Sequence, residues 1–152
     1  MFTVALDDPF APDVRALLEE HLSDMWATSP PESVHALEPA ALIGPAMAFF
    51  TARDGQLLLG CGALKDLGTG EGEVKSMRTT AASRGRGVGS ALLTRVIQEA
   101  RERGFSAVRL ETGVEDYFAP ARAMYVKFGF EVCGPFDTYT DDPNSVYMVL
   151  TL

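Results

Sequence analysis

Apolar and polar positions follow two rhythms along this chain, and each change of rhythm marks an element. Val88, Leu92, Val96 and Ala100 return about once per helical turn with Leu93 and Ile97 beside them, which predicts an amphipathic helix from Val88 to Arg103 closed by Gly104. A helix is also predicted from about Pro12 to Met25, where Val14, Leu17, Leu18 and Leu22 share a face and Pro12 or Asp13 suits the first turn. Another runs from Pro120 to Phe128 and stops at Gly129. The pair Pro30-Pro31 forbids helix through the segment Ser29 to Leu37, so the chain turns there before a short helix near Glu38 to Leu42.

Between these lie strand-like runs: Phe2 to Leu6, Met47 to Arg53, Gln56 to Lys65, Glu73 to Thr79, Ala107 to Glu111, Phe130 to Cys133 and Val146 to Leu150. Asp54-Gly55 joins the second and third as a hairpin, and Gly68 to Gly72 turns the chain into the fourth. Strands followed by strand, helix, strand, helix and closing strands give an α/β (α+β) class with a mixed sheet. With 152 residues, no linker, no repeat and no low-complexity segment, residues 1–152 form one domain.

Composition narrows the function. A hydrophobic share of 47% with 22% charged residues is that of a globular protein, and a net charge of −8 argues against nonspecific nucleic-acid binding, which needs a basic face. No apolar run is long enough to span a bilayer and no basic cluster opens the chain, so a cytoplasmic location is expected. Cys61 and Cys133 sit in apolar runs without metal or disulfide spacing, and His21 and His35 are fourteen residues apart, so no metal is expected. Arg78, Arg84, Arg86, Arg95, Arg101, Arg103 and Arg109 are expected around the segment Arg84 to Ser90, with Arg95, Arg101 and Arg103 reading as a solvated helix face.

That segment, Arg84-Gly85-Arg86-Gly87-Val88-Gly89-Ser90, leads from a strand into a helix and reads as an anion cradle. Glycines 85, 87 and 89 are expected to take positive φ and approach a ligand, and the free amides at a helix start favour phosphate. A Walker loop is excluded because no lysine stands between Lys75 and Lys127, and a dinucleotide loop fits poorly because Ser90 occupies the position of its last glycine. The remaining pattern, Arg/Gln-x-x-Gly-x-Gly/Ala on Arg84, Gly87 and Gly89, resembles the acetyl-CoA loop of the GCN5-related N-acetyltransferases (GNAT). Met77-Arg78-Thr79 upstream and the helix end Tyr125-Val126-Lys127-Phe128-Gly129-Phe130 downstream resemble two further parts of that family, in order. The resemblance covers residues 47 to 152 well and the first third more loosely. Ser-Pro-Pro-Glu-Ser-Val-His, Gly-Cys-Gly-Ala-Leu-Lys and Asp-Pro-Asn-Ser resemble small bacterial members, some labelled indoleacetate acetyltransferases.

The resemblance implies a mostly antiparallel sheet of about seven strands flanked by about four helices, and transfer of an acetyl group from acetyl-CoA to an amine. Met77, Arg78 and Thr79 would pair with the pantetheine arm, and Arg84, Gly85, Arg86, Gly87, Val88, Gly89 and Ser90 would hold the pyrophosphate. Tyr125 would protonate the leaving thiolate. Glu73 would act as base, with Glu111 as competitor and water as a third source of neutral amine. Strand alternation places Glu73 on one side with Lys75, Met77 and Thr79, and Val74, Ser76 and Arg78 on the other. Phe118 stands where many members carry a cofactor-binding asparagine, so apolar packing would replace that contact. Glu32, Ser33 and His35, with the segment Pro135 to Ser145, would face the acceptor. The expected partner is a small-molecule primary amine, with a protein N-terminus or lysine as second choice and a homodimer left open; no nucleic acid or membrane is implied. A noncatalytic acyl-CoA-binding domain of the same fold is the rival reading.

Overall fold

The alternating runs pair edge to edge into one sheet in the computed structural model, which describes residues 1–152. Its strands are β1 (Thr3–Leu6), β2 (Met47–Asp54), β3 (Leu57–Asp66), β4 (Glu71–Thr79), β5 (Ala107–Gly113), β6 (Glu131–Cys133) and β7 (Ser145–Thr151). They lie in the order β1-β2-β3-β4-β5-β7-β6, and every pairing is antiparallel except β4 with β5. The helices are α1 (Pro12–Thr28), α2 (Val88–Glu102) and α3 (Ala119–Lys127). The expected helix near Glu38 is instead one 3-10 turn, Pro39–Leu42, because four residues opened by a proline cannot build the hydrogen-bond ladder of an α-helix.

The sheet buries both faces. On one side Val14, Leu17 and Leu18 of α1 pack on Phe49, Leu58, Cys61 and Ala63. On the other, Leu92, Leu93, Val96 and Ile97 of α2 meet Phe50, Leu64, Val74 and Leu110, with Tyr125 of α3 and Phe130 closing the cluster. Each large apolar side chain buried here contributes about 1.5–3 kcal/mol.

Strand alternation fails in β4. Cys61 of β3 pairs with Arg78 and Ala63 with Lys75, so Gly62 alone stands opposite Ser76 and Met77. Ser76 absorbs the extra residue with a φ of 55°, and the Cys61 thiol donates to its carbonyl at 3.3 Å. This β-bulge flips every side chain after it. Glu73, Lys75 and Arg78 therefore face α1, whereas Val74, Met77 and Thr79 face α2, which corrects the grouping expected from simple alternation. The bulge also bends β4 away from its neighbour. β4 and β5 pair only from Glu71↔Ala107 to Glu73↔Arg109, and beyond Glu73 the β5-facing edge of β4 has no partner strand.

Candidate active site

The wedge between β4 and β5 opens into a cleft of about 560 Å³ that runs from the glycine loop past Met77 and Thr79 to Phe118, Met124 and Tyr125. At its outer end Gly85 and Gly87 take φ values of 77° and 78°, Gly87 is the N-cap of α2, and no side chain caps the first amides of that helix. Gly89 departs from expectation. It lies in the first helical turn without a positive φ, and its missing Cβ leaves room beside Met124 and Thr79.

The arginines are also more dispersed than the sequence suggests. Arg95 and Arg103 pair with Glu99, Arg109 pairs with Glu71, and Arg101 sits in the last turn of α2. Arg78 was expected at the cofactor, but the bulge turns its buried guanidinium to Glu20 and Asp24 of α1 and to the Tyr117 hydroxyl. Only its backbone remains for the cleft. Exposed Arg84 and Arg86, at the loop itself, make no ion pair and keep their charge for an anion.

Phe118, buried against Gly113, lines the cleft. Deeper in, the cleft meets a cavity of about 110 Å³ lined by Met77, Tyr125, His21, Lys75, Glu73 and Glu111. Tyr125 is buried, with its ring edge-on to Phe130 at 5.7 Å, and it belongs to both cleft and cavity. Burial, with the Glu111 charge adding, pushes its hydroxyl well above the usual tyrosine range, so it stays protonated.

The two carboxylates differ in their surroundings. Glu73 is 1% exposed; its Oε2 accepts the Tyr139 hydroxyl at 2.6 Å and lies 3.3 Å from Lys75 Nζ. Lys75 also donates to the Tyr139 oxygen at 2.9 Å and to the His35 carbonyl at 3.3 Å. Glu111 receives the Ser145 hydroxyl at 2.8 Å, and burial pushes its carboxyl up to about 7, Ser145 and Lys75 holding it back and Glu73 and Asp142 adding to the rise.

On the far side of the small cavity a polar pocket of about 430 Å³ is bordered by Glu32, His35, Lys65, Asp137, Tyr139 and Asp142. Ser33 is buried and donates to Asp142, tying the diproline segment to the loop between β6 and β7. His35 stacks edge-on to Tyr139 at 4.9 Å, and burial together with nearby Lys75 keeps its imidazole below the usual histidine range. Glu32 is exposed at the rim.

The structure thus brings Tyr125, Glu73, Glu111 and His35 to one axis of connected cavities and adds three residues that sequence reasoning passed over. Lys75 was legible, lying two residues from Glu73 on one face of a regular stretch of strand. Tyr139 stood in the acceptor segment without a role. His21, a lone histidine on α1, carried no sequence signal; only the packing of α1 across the bulged strand reveals it.

The chain matches the acetyltransferase (GNAT) family over residues 11–130. It is 47% identical to the uncharacterized N-acetyltransferase YsnE of Bacillus subtilis, a similarity covering 98% of this chain and 99% of that protein. To the IAA acetyltransferase of Azospirillum brasilense it is 41% identical, over 96% of this chain and 95% of the relative. Among solved structures, a candidate acyl-CoA N-acyltransferase of Klebsiella pneumoniae is similar with a TM-score of 0.82 and 28% identity, covering 100% of this chain and 98% of that one.

Proposed function

Since the chain belongs to the GNAT family and is an acyltransferase, we propose that it moves the acetyl group of acetyl-CoA directly to the primary amine of a small molecule. The observation that carries this reading is the axis of cavities: a cleft with an anion-ready end, a buried junction holding Tyr125 and Glu111, and a polar pocket beyond. The cleft suits the co-substrate. Uncapped α2 amides with Arg84 and Arg86 match a pyrophosphate, and the unpaired edge of β4 matches the amides of a pantetheine arm. The pocket beyond suits a small acceptor, because its volume of about 430 Å³ is that of a small-molecule site and its lining is polar.

At the junction an ammonium group gives its first proton to Glu111, whose carboxyl near 7 is matched to that task. The freed amine attacks the thioester carbonyl carbon, a C–N bond forms and the C–S bond breaks. Tyr125 donates its hydroxyl proton to the departing sulfur, and the second proton shed by the amine nitrogen restores Tyr125. Glu73, held by Lys75 and Tyr139, anchors the acceptor loop.

The test is thiol release from acetyl-CoA with a panel of small primary amines and amino acids, with IAA, which has no primary amine, run separately because the Azospirillum relative bears its name. At least one small amine is turned over, and Tyr125→Phe lowers its turnover by a factor on the order of 10² with acetyl-CoA affinity kept. Release only with peptides carrying a free N-terminus or lysine would move the acceptor class to proteins.

A further inference from the structure

His21 is a polar side chain at the junction that the chemistry above leaves idle. It projects from α1 across the open edge of β4 and lines both the main cleft and the small cavity, the point where acyl donor and acceptor meet. Neither ring nitrogen has a hydrogen-bond partner within the protein; Nδ1 is sealed from solvent, so Nε2 is the nitrogen left open to the cavity. An imidazole that bonds no protein group and lines both cavities has its open nitrogen free for a ligand there. Burial, reinforced by the positive charges of Arg78 and Lys75 and opposed by Asp24, lowers its ionisation to about 4. A neutral imidazole keeps a lone pair at every working pH.

Resting on the reading given above, we propose that His21 is the acceptor-orienting contact: Nε2 accepts an N–H of the incoming amine and aims its nitrogen at the thioester. A hydrogen bond only is made; the proton itself leaves to Glu111. The ring thereby selects amines that bring at least two N–H groups, one to lose and one to be held. A primary amine qualifies after its first deprotonation, whereas a secondary amine must choose between contact and reaction.

The experiment has two arms. In the first, His21→Phe removes the acceptor nitrogen and His21→Gln retains a side-chain acceptor of similar reach. Loss of one such hydrogen bond lowers kcat/KM for the best amine of the panel by about tenfold in His21→Phe, with partial recovery in His21→Gln and acetyl-CoA affinity within about twofold of the parent. Equal loss of acetyl-CoA affinity would make His21 a cofactor or packing residue and overturn the proposal, as would unchanged kcat/KM in both variants. The second arm needs neither turnover nor substitution. The chain has 2 histidines, so ¹⁵N-histidine labelling gives an uncrowded spectrum. Adding 1-propylamine to the protein saturated with CoA shifts the His21 Nε2 resonance; an unmoved signal sinks the proposal. Failure of every amine to release thiol would instead refute the wider function, a different outcome from either.

Discussion

Two carboxylates border the same small cavity, and their neighbours give them different work. Glu73 sits against a lysine and a tyrosine that bond its carboxylate oxygen, while Glu111 is buried with the Ser145 hydroxyl as its hydrogen-bond partner. Burial lifts the Glu111 carboxyl from an ordinary 4.5 to about 7, so the folded chain holds this proton more tightly than the unfolded one. The residue thus costs nothing below the unfolded value, costs more as pH rises between the two, and exerts its full penalty, up to about 3 kcal/mol, above the folded value. Glu111→Gln should melt higher than the parent at about pH 8 and level with it near the ordinary carboxylate pKa; a gap in melting temperature that ignores pH would contradict this origin. The same variant should lose turnover near neutrality and regain part of it in alkali, where solvent deprotonates the amine. Glu73→Gln, by contrast, should keep the parent's pH–rate shape.

At the level of elements, the turn into α2 was readable because its chemistry is local: Gly85 and Gly87 adopt the left-handed conformation that the spacing requires. Gly87→Val forces a β-branched residue to a φ of 78° in a position where its Cβ meets no protein atom, so the damage falls on loop shape and the space for a ligand. Acetyl-CoA affinity by calorimetry should fall at least about tenfold in a folded Gly87→Val protein, and undiminished binding would place the pyrophosphate elsewhere. What was not readable depended on contacts distant in sequence. Nothing in Val74-Lys75-Ser76-Met77 announces a bulge, since serine carries no preference for the conformation that Ser76 is driven into by pairing with β3. The missed bulge misdirected Met77, Arg78 and Thr79 together. The arginine patch loses Arg78 and Arg109 likewise, because Glu20, Asp24 and Glu71 become their partners only once α1, β4 and β5 take their places, whereas Arg95 and Arg103 lie on a helix face beside Glu99 as the sequence suggests.

The whole molecule divides at the parallel contact. Strands β1 to β4 come from residues 3–79 and strands β5 to β7 from residues 107–151, each group joined antiparallel within itself, and only three register pairs connect them. The order of the seven strands was hidden in the sequence because a three-pair seam leaves no local trace, although the number of strands was plain from alternation. Such a seam is a weak line across the middle of the sheet, and its strength can be timed. Backbone amides along it should exchange with solvent deuterium by brief separation of the two ribbons, sooner than those of the β2–β3 ladder, which is paired along its length. A thioester whose arm lies along β4 acts as the absent rungs and fastens one ribbon to the other. Acetyl-CoA should therefore slow exchange in residues 74–79 and 111–113 while β1 and β2 keep their rates, by mass spectrometry of peptic fragments. Slowing spread evenly over the chain would mean that the ligand merely steadies the fold; slowing gathered at the seam would mean that the co-substrate is, for as long as it stays, a strand of the protein.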